Sequence, residues 1–427
     1  MSRNKEMYSI NQRMLFDENY NLASTQWLKN KDIPEGGAIG TILPSLGATS
    51  RAIVDLLIPG KTPGIKEALL RLLFFGPDAD MMDWVALHAR DRGAQTLGGV
   101  PHDTYGMTSL SIRQTKVQTG GPDGDLGSNE ILLSSDKTVA IIDGSGVLAD
   151  PVGLDHEELV RLAKKRLTVA HFNRTRLSKD GYLVKIEEQD VRCSTGEIVL
   201  DGSDFRNGAH LRFKADFFVP CEAIKISKMA ALFDSEAKPH FKYIVEGANL
   251  FLTQQARLFL EKRKVVVFKD SSTNKGCPVD LMIFKNGKPS EFYQSYVKDI
   301  QEKITENAAA EFHCLWKEHT RLQGAKPRTT ISDELSSTLN NLQAELESSD
   351  LFEDVPSRNG VMRRAIPKTL VEKIGLETLL KRLPEAYQRA LFSSWVASHF
   401  LYKYGVNASR IFPSRVGVGP QKGIEVV

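Results

Sequence analysis

The chain has 427 residues, of which 41% are hydrophobic and 26% are charged, and its formal net charge at pH 7 is +3. This length gives room for about two or three domains with sizeable cores, and the composition is ordinary for a globular protein. The small basic excess does not argue for a nucleic-acid or an anionic membrane partner, and nucleic-acid binding is kept only as a weak alternative.

The four cysteines lie far apart and show neither the paired spacing of a zinc site nor that of a redox motif. We therefore expect reduced thiols and no bound metal. The N-terminus lacks an apolar signal segment, and no run of about 18 apolar residues occurs. These features predict an intracellular protein, cytoplasmic by default, with mitochondria as the alternative compartment.

Residues 1–112 are predicted to be rich in loops, with one helix around Ile65–Phe75 and no complete domain. From residue 113 to residue 289, short β-branched segments alternate with helical ones. Four of these segments predict strands: 138–143, 216–220, 243–246 and 265–268. This alternation predicts a mostly parallel α/β sheet.

Two helices of this region carry start signals. Asp155 and Glu158 form a D-x-x-E pattern that resembles a capping box, and Thr253 precedes a second helical pattern. Further along the chain, apolar residues recur at three- and four-residue spacing over residues 293–315 and 335–346. This spacing is typical of helices that bury one face, so the C-terminal part is predicted to be helical.

Prolines and glycines bound the remaining helices of the C-terminal part. Pro367 and Pro384 stand near predicted starts, and Gly375 and Gly405 near predicted ends. The stretch 348–359 is rich in Ser and Asp and is expected to be a loop.

A glycine-rich turn containing Gly121, Gly124 and Gly127 is the most informative local pattern. It follows a short extended run, leads into the apolar segment ILLSS that is expected to start a helix, and precedes a strand ending at Asp143. A dinucleotide-binding βαβ unit has this order: its glycines let backbone N–H groups reach a pyrophosphate, and its acid accepts from ribose hydroxyls. Because the spacing is G-x-x-G-x-x-G rather than G-x-G-x-x-G, an ordinary Gly/Asp-rich turn is the alternative. A Walker loop would need Lys-Ser/Thr, and a calcium loop would need its full ligand pattern.

Two small polar loops follow predicted strands, one containing Asn249 in E-G-A-N and the other Asn274 in S-S-T-N-K-G. Ligands of open parallel sheets bind at the carboxyl ends of strands, so both loops are candidates for a binding crevice, with ordinary βα loops as the alternative. Asp103, in Pro-His-Asp, is a candidate proton carrier, although a lone loop Asp more often forms a turn or a cap.

Several long motifs, in order, resemble the large-subunit NAD-specific glutamate dehydrogenases: FDENYNLASTQ, KNKDIPEGG, LGGVPHDTYGMTSL, QTGGPDGDLGSNEILLS, IVEGANLFLTQQAR, KDSSTNKG and EFYQSYVKDIQEKITENA. The resemblance implies an α/β fold with three parts: a partial α/β substrate domain over residues 1–112, a Rossmann-like NAD-binding domain over 113–289 and an α-helical region over 290–427. It also implies oxidative deamination of L-glutamate to 2-oxoglutarate and ammonia, hydride transfer to NAD, and a homo-oligomer.

The resemblance also assigns roles to particular residues. Binding of NAD would fall to Gly121, Gly124, Gly127 and Asp143, the nicotinamide side of the cleft to Asn249 and Asn274, and proton transfer to Asp103.

The chain departs from the family at Ile39, in Gly36-Gly37-Ala38-Ile39-Gly40, where the family carries a catalytic lysine in G-G-S-K-G. An isoleucine cannot move a proton. Blocks that bind substrate in the family are missing as well, including those expected after Cys221 and after Gly276. We therefore predict impaired catalysis, and the alternative is a non-catalytic NAD-binding or assembly protein of the same descent.

Overall fold

The structure is a computed structural model, and part of the chain is described. The described residues are 116–134, 136–194, 196–221, 229–273 and 291–408, with short pieces at 16, 19–20, 23–26, 28–29, 73–75 and 96–98. Asp103, Asn274 and the loop containing Ile39 lie outside the described residues.

The described strands form one large sheet and two small ones. They are β1 (Leu73–Phe75), β2 (Thr96–Gly98), β3 (Lys116–Thr119), β4 (Thr138–Asp143), β5 (Gly146–Ala149), β6 (Tyr182–Lys185), β7 (Gln189–Arg192), β8 (Ile198–Asp201), β9 (Ala215–Pro220), β10 (Phe241–Val245) and β11 (Val266–Phe268). The large sheet has the order β11-β10-β9-β3-β4-β5-β6. Its first five strands in that order are parallel, and β5 and β6 extend it in antiparallel fashion.

Helices flank the sheet and make up the C-terminal part. They are α1 (Asp125–Leu133), α2 (His156–Lys165), α3 (Gly202–Gly208), α4 (Gln254–Lys262), α5 (Asp270–Thr273), α6 (Glu291–Arg321), α7 (Arg328–Glu347), α8 (Val355–Ala365), α9 (Lys368–Ile374), α10 (Leu376–Arg382) and α11 (Glu385–Tyr404). None of the helices in the described part combines the length and the apolar character that crossing a bilayer requires.

The predicted parallel α/β sheet is confirmed. Its central strands are buried on both faces: Ile141 packs with residues of α1 and α2 on one side, whereas Ile142 packs with residues of α3 and α4 on the other. Parallel strands need this double cover, which explains why they read as continuous apolar runs in the sequence. The four predicted strands form as β4, β9, β10 and β11, with ends shifted by one or two residues at three of them.

The hairpins were not predicted. Asp143 pairs with Gly146 across a two-residue turn that reverses the chain from β4 into β5. Gly146 has φ 157°, and a Cβ there would lie 2.3 Å from the carbonyl oxygen of Val184 on β6. The two-residue loop Gly144-Ser145 between two apolar segments is a sequence signal for a hairpin, and the strand predictions did not use it.

Three local predictions are corrected by the structure. Helix α1 begins at Asp125, inside the glycine-rich turn, and not at the ILLSS segment. The stretch predicted as a loop contains a 3-10 turn and the start of α8, whose first turn is capped by the Asp354 side chain. Leu73–Phe75, placed at the end of a predicted helix, forms strand β1 and pairs in parallel with β2. In the last case strand pairing overrides helix periodicity.

The start signals in the other helices are confirmed, with one difference. The Asp155 carboxylate accepts from the Glu158 N–H at 2.8 Å, and Thr253 caps α4. The Glu158 carboxylate does not complete the capping box, because it binds the guanidinium of Arg161 and the N–H of Asn173 instead. The prolines and glycines predicted as boundaries flank α9 and α11.

Helix α7 attaches the C-terminal helices to the sheet. The N–H of Arg328 at its start donates to the Glu261 carboxylate of α4 at 2.7 Å, and Lys269 forms an ion pair with Asp333. The helices otherwise enclose a core of their own, which includes Leu335, Leu339 and Phe392.

Candidate functional site

The direction of chain progression reverses between β3 and β9. After β3 the chain crosses through α1 to β4 on one side, whereas β9, β10 and β11 follow on the other side. The carboxyl ends of β3 and β9 lie side by side, since the N–H of Cys221 donates to the Thr119 carbonyl at 2.8 Å. Such a switch point opens a crevice at the carboxyl edge of the sheet, where ligands of this architecture bind.

The glycine-rich turn lies at this edge. Gly120 has φ 92°, a conformation that favours glycine, and its N–H donates to the Ile142 carbonyl at 2.8 Å. A Cβ at Gly127 would lie 2.3 Å from the Gly121 carbonyl oxygen and 2.6 Å from that of Gly120. At Gly124 the nearest atom would be 3.5 Å away, an ordinary contact. Gly127 is therefore the glycine that lets α1 approach the turn, and Gly124 is not required for packing.

The N-terminus of α1 has the features of an anion-binding site. Its N-cap residue is Gly124, which offers no side-chain oxygen to the first N–H groups of the helix. Those N–H groups and the helix dipole together give a partial positive charge at the crevice. A pyrophosphate fits these donors and the close backbone approach at Gly127, so the residues present match a dinucleotide.

Asp143 stands where the predicted ribose acceptor should be, at the end of β4. A Cβ on Gly121 would lie 2.3 Å from one of its carboxylate oxygens, so turn and acid are in contact. The carboxylate is 1% exposed and accepts from the N–H and hydroxyl of Ser145, at 2.8 and 2.7 Å, and from the N–H of Val169 at 2.8 Å. Asp143 thus orders the β4–β5 turn and a 3-10 helix, and its ribose role stays a prediction.

Asp123 is a second carboxylate in the turn. Burial raises its pKa, and the nearby charge of Asp143 adds to the rise. The two acids therefore lie close enough to affect each other's ionisation, and the charge of Arg166 opposes the rise.

The E-G-A-N loop reaches the same crevice. The N–H groups of Gly247 and Ala248 donate to the Pro220 carbonyl at the end of β9, at 3.1 and 2.8 Å. A Cβ on Gly247 would lie 2.6 Å from a methyl carbon of Leu126 on α1. The partly buried Asn249 follows directly. The structure therefore brings together the glycine turn, Asp143 and Asn249, which lie far apart in the sequence.

Two buried ionic groups near the site were missed from the sequence. Lys116 on β3 and Glu130 on α1 form an ion pair of 2.7 Å, and both side chains are 0% exposed. Burial raises the pKa of Glu130, and Lys116 opposes the rise. The other group joins Glu246, Arg257 and Asp270. For Glu246 the available signal was an acid directly after the apolar end of β10, whereas Lys116 lies in the mostly polar strand Lys-Val-Gln-Thr and had no such signal.

The sheet order, switch point and glycine turn define a Rossmann-like α/β protein. A family model described as Glutamate/Leucine/Phenylalanine/Valine dehydrogenase matches residues 102–324. The chain belongs to this family of dehydrogenases.

Curated relatives agree with the motif resemblance. The chain is 45% identical to the "Probable NAD-specific glutamate dehydrogenase" of Schizosaccharomyces pombe, covering 95% of this chain and 43% of that protein. It is 44% identical to the "NAD-specific glutamate dehydrogenase" of Neurospora crassa, covering 96% and 45%. The chain thus spans less than half the length of these relatives. The first alignment extends over 473 positions against the 427 residues of the chain, so the relative carries residues without a counterpart here.

A solved structure described as hetero-hexameric glutamate dehydrogenase from Thermus thermophilus in a Leu-bound form is also similar. It is 15% identical, with a TM-score of 0.42, over 75% of this chain and 74% of that one. At this identity and TM-score the likeness supports no conclusion about the activity or assembly of this chain.

Proposed function

We propose that the chain is the cofactor-binding part of an NAD-specific glutamate dehydrogenase and binds NAD at the switch point between β3 and β9. The observation that carries this proposal is the backbone contact of Gly127 with the glycine turn, which directs the uncapped start of α1 into the crevice. The names of the relatives support the choice of NAD and of L-glutamate.

Different residues along the crevice would bind different parts of NAD. The N–H groups at the start of α1 would hold the pyrophosphate, Asp143 would lie beside the adenosine ribose, and Asn249 would face the nicotinamide. NAD, when bound, accepts a hydride from the substrate α-carbon, which leads from L-glutamate to 2-oxoglutarate and ammonia. A homo-oligomer belongs to the same proposal and is tested by sedimentation.

We expect the purified chain to bind NAD while turning over glutamate at no more than background rate. Ile39 stands where the family uses a lysine. We also propose that the relative's residues without a counterpart in this chain include segments that bind the substrate. Calorimetry measures binding, and the absorbance of NADH measures turnover. Turnover well above background would contradict the impairment, and absence of NAD binding would contradict the proposed function.

The variant Ile39→Lys separates the two causes of low activity. If the missing blocks matter as well, restoring the lysine alone leaves turnover at background. Recovery of activity in Ile39→Lys would show that the side chain at position 39 is the sole defect. NAD binding without turnover in both proteins is the expected result, and the second candidate function, a non-catalytic NAD-binding protein, shares it.

A matched pair of variants tests the role of Asp143. Asp143→Asn and Asp150→Asn are each expected to lower the free energy of unfolding by about 1–3 kcal/mol, because an amide NH2 then faces a buried backbone donor. Asp150 is likewise 1% exposed and accepts from two N–H groups and the Ser178 hydroxyl, but it lies at the end of β5, away from the glycine turn.

Only Asp143→Asn should also weaken NAD binding, as measured by calorimetry at a temperature where both variants are folded. Equal NAD affinity in the two variants would leave Asp143 a purely structural residue.

A further inference from the structure

Three charged side chains are buried together beneath the carboxyl edge of the sheet. Glu246 follows β10, Arg257 lies on α4 and Asp270 begins α5, and their side chains are 0%, 2% and 0% exposed. Nε of Arg257 is 2.8 Å from Oε2 of Glu246, and one terminal nitrogen is 3.1 Å from Oε1 of Glu246 and 3.2 Å from Oδ1 of Asp270. Arg257 is thus the bridge between two acids that belong to different loops.

Both acids also hold backbone of the E-G-A-N loop. Oε1 of Glu246 accepts from the N–H of Leu252 at 2.8 Å, and Oδ2 of Asp270 accepts from the N–H of Leu250 at 2.7 Å. Leu250 has φ 49°, a left-handed conformation that a leucine adopts only when its surroundings impose it. The loop that carries Asn249 therefore takes its shape from this cluster.

The same cluster reaches a segment from the other end of the chain. The hydroxyl of Thr25, a residue that is 1% exposed, donates to Oδ2 of Asp270 at 2.8 Å. The Ser336 hydroxyl of α7 donates to the Leu28 carbonyl at 2.6 Å. Through Asp270, Arg257 is linked to the N-terminal residues 23–26 and 28–29 as well as to both loops.

We propose that Arg257 is a positioning residue for the crevice, which through Glu246 and Asp270 keeps loop 246–252, the start of α5 and residues 23–26 and 28–29 in one arrangement. The inference deepens the proposed function and rests on it for the identity of the ligand. The positioning role can be tested without a ligand, because it predicts which backbone segments become more mobile together when Arg257 is replaced.

The charges of the cluster predict a pH dependence of its stability, which apolar packing alone would not produce. Two acids face one guanidinium, and the charge of Asp333, which is paired with Lys269, also acts on Arg257. Burial raises the pKa of Glu246 to about 7 against the opposing effect of Arg257, and Asp270 adds to the rise. Because the folded-state pKa of Glu246 lies above its unfolded value, the stabilisation is full below about pH 4.5 and is lost as the pH rises towards about 7 and Glu246 ionises.

The first test is Arg257→Lys, followed by amide hydrogen exchange and by NAD titration. A lysine keeps the charge but cannot form the fork between both acids. We expect lost protection in loop 246–252 and at residues 23–26 and 28–29, unchanged protection in β4 and α2, and an NAD dissociation constant raised about tenfold. Uniform loss of protection across the chain, or unchanged loop protection, would overturn the proposal.

A second variant keeps the proposal testable if Arg257→Lys fails to fold. In the wild-type chain the protection factors of loop 246–252 should fall between about pH 4.5 and about pH 7, whereas in Glu246→Gln they should stay constant. Glu158→Gln is the matched control, since Glu158 is also a buried partner of an arginine, on α2, and should retain the wild-type pH profile. A wild-type pH profile in Glu246→Gln would contradict the role of the cluster.

The two proposals fail in different ways. If the wild-type chain does not bind NAD but Arg257→Lys loosens the predicted segments, the proposed function is wrong and the positioning role stands. If the wild-type chain binds NAD and Arg257→Lys changes neither the loops nor the affinity, the positioning role is wrong and the proposed function stands.

Discussion

Gly127→Val is expected to abolish detectable NAD binding and to lower the free energy of unfolding by about 1–3 kcal/mol. A Cβ at this position would lie 2.3 and 2.6 Å from two backbone carbonyl oxygens of the glycine turn. Backbone cannot rotate away as a side chain can, so α1 must move off the turn. That movement takes the N–H groups at the start of α1 out of the crevice. Calorimetry with NAD and urea unfolding measure the two effects.

Gly124→Ala is the matched control in the same turn. Its Cβ would meet only the Gly121 carbonyl oxygen, at 3.5 Å, and the backbone at Gly124 has φ −81°, which alanine adopts freely. We expect NAD affinity close to that of the wild-type chain and a stability change below about 1 kcal/mol, since alanine is a poorer N-cap than glycine. Equal loss of binding in both variants would show that the glycine turn does not act through the approach of α1.

Lys116→Met is expected to lower the free energy of unfolding by about 3–5 kcal/mol at neutral pH. The Lys116–Glu130 pair is fully buried, and Oε2 of Glu130 has no hydrogen-bond partner among the described residues. Removing the lysine leaves a buried carboxylate without its cation. The pKa of Glu130, already raised by burial, then rises further. Since Glu130 can take up a proton in acid, the loss should shrink as the pH falls.

The double variant Lys116→Met/Glu130→Met tests this account. Replacing a buried ion pair by apolar side chains of similar volume is often close to neutral, so most of the lost stability should return. Lys164→Met, at an exposed position on α2, should change the free energy of unfolding by less than about 0.5 kcal/mol. Urea unfolding of the three variants at two pH values supplies the measurement. A full loss that persists in the double variant would contradict the pairing.

The elements that could be predicted from the sequence depend on neighbours in the chain. Asp155, Thr253, Pro384 and Gly405 act within one helical turn, and the apolar strands β4, β9, β10 and β11 carry their own pattern. The elements that were missed or misplaced depend on partners elsewhere in the chain, although the Gly144-Ser145 loop before β5 is a local hairpin signal that was overlooked. The β5 strand depends on Gly146 lying against β6, and Leu73–Phe75 depends on pairing with β2.

The candidate site likewise has some features that could be predicted from the sequence and others that could not. The glycine turn and Asp143 were predicted from the sequence because their order along the chain is characteristic of a βαβ unit, and the E-G-A-N loop because it follows a predicted strand. The hydrogen bond from the Val169 N–H to the Asp143 carboxylate could not be predicted from the sequence, because the two residues are far apart in the chain and only the fold brings them together.

The sequence by itself determined the parallel α/β architecture, the helical C-terminal part and the family, because strand and helix periodicity, caps and long ordered motifs are properties of consecutive residues. The tertiary structure alone decided that Gly127 rather than Gly124 controls the approach of α1, and that Arg257 joins two loops and Thr25. Burial, short backbone approaches and ion pairs between distant residues exist only once the chain is folded, since they depend on distances in space.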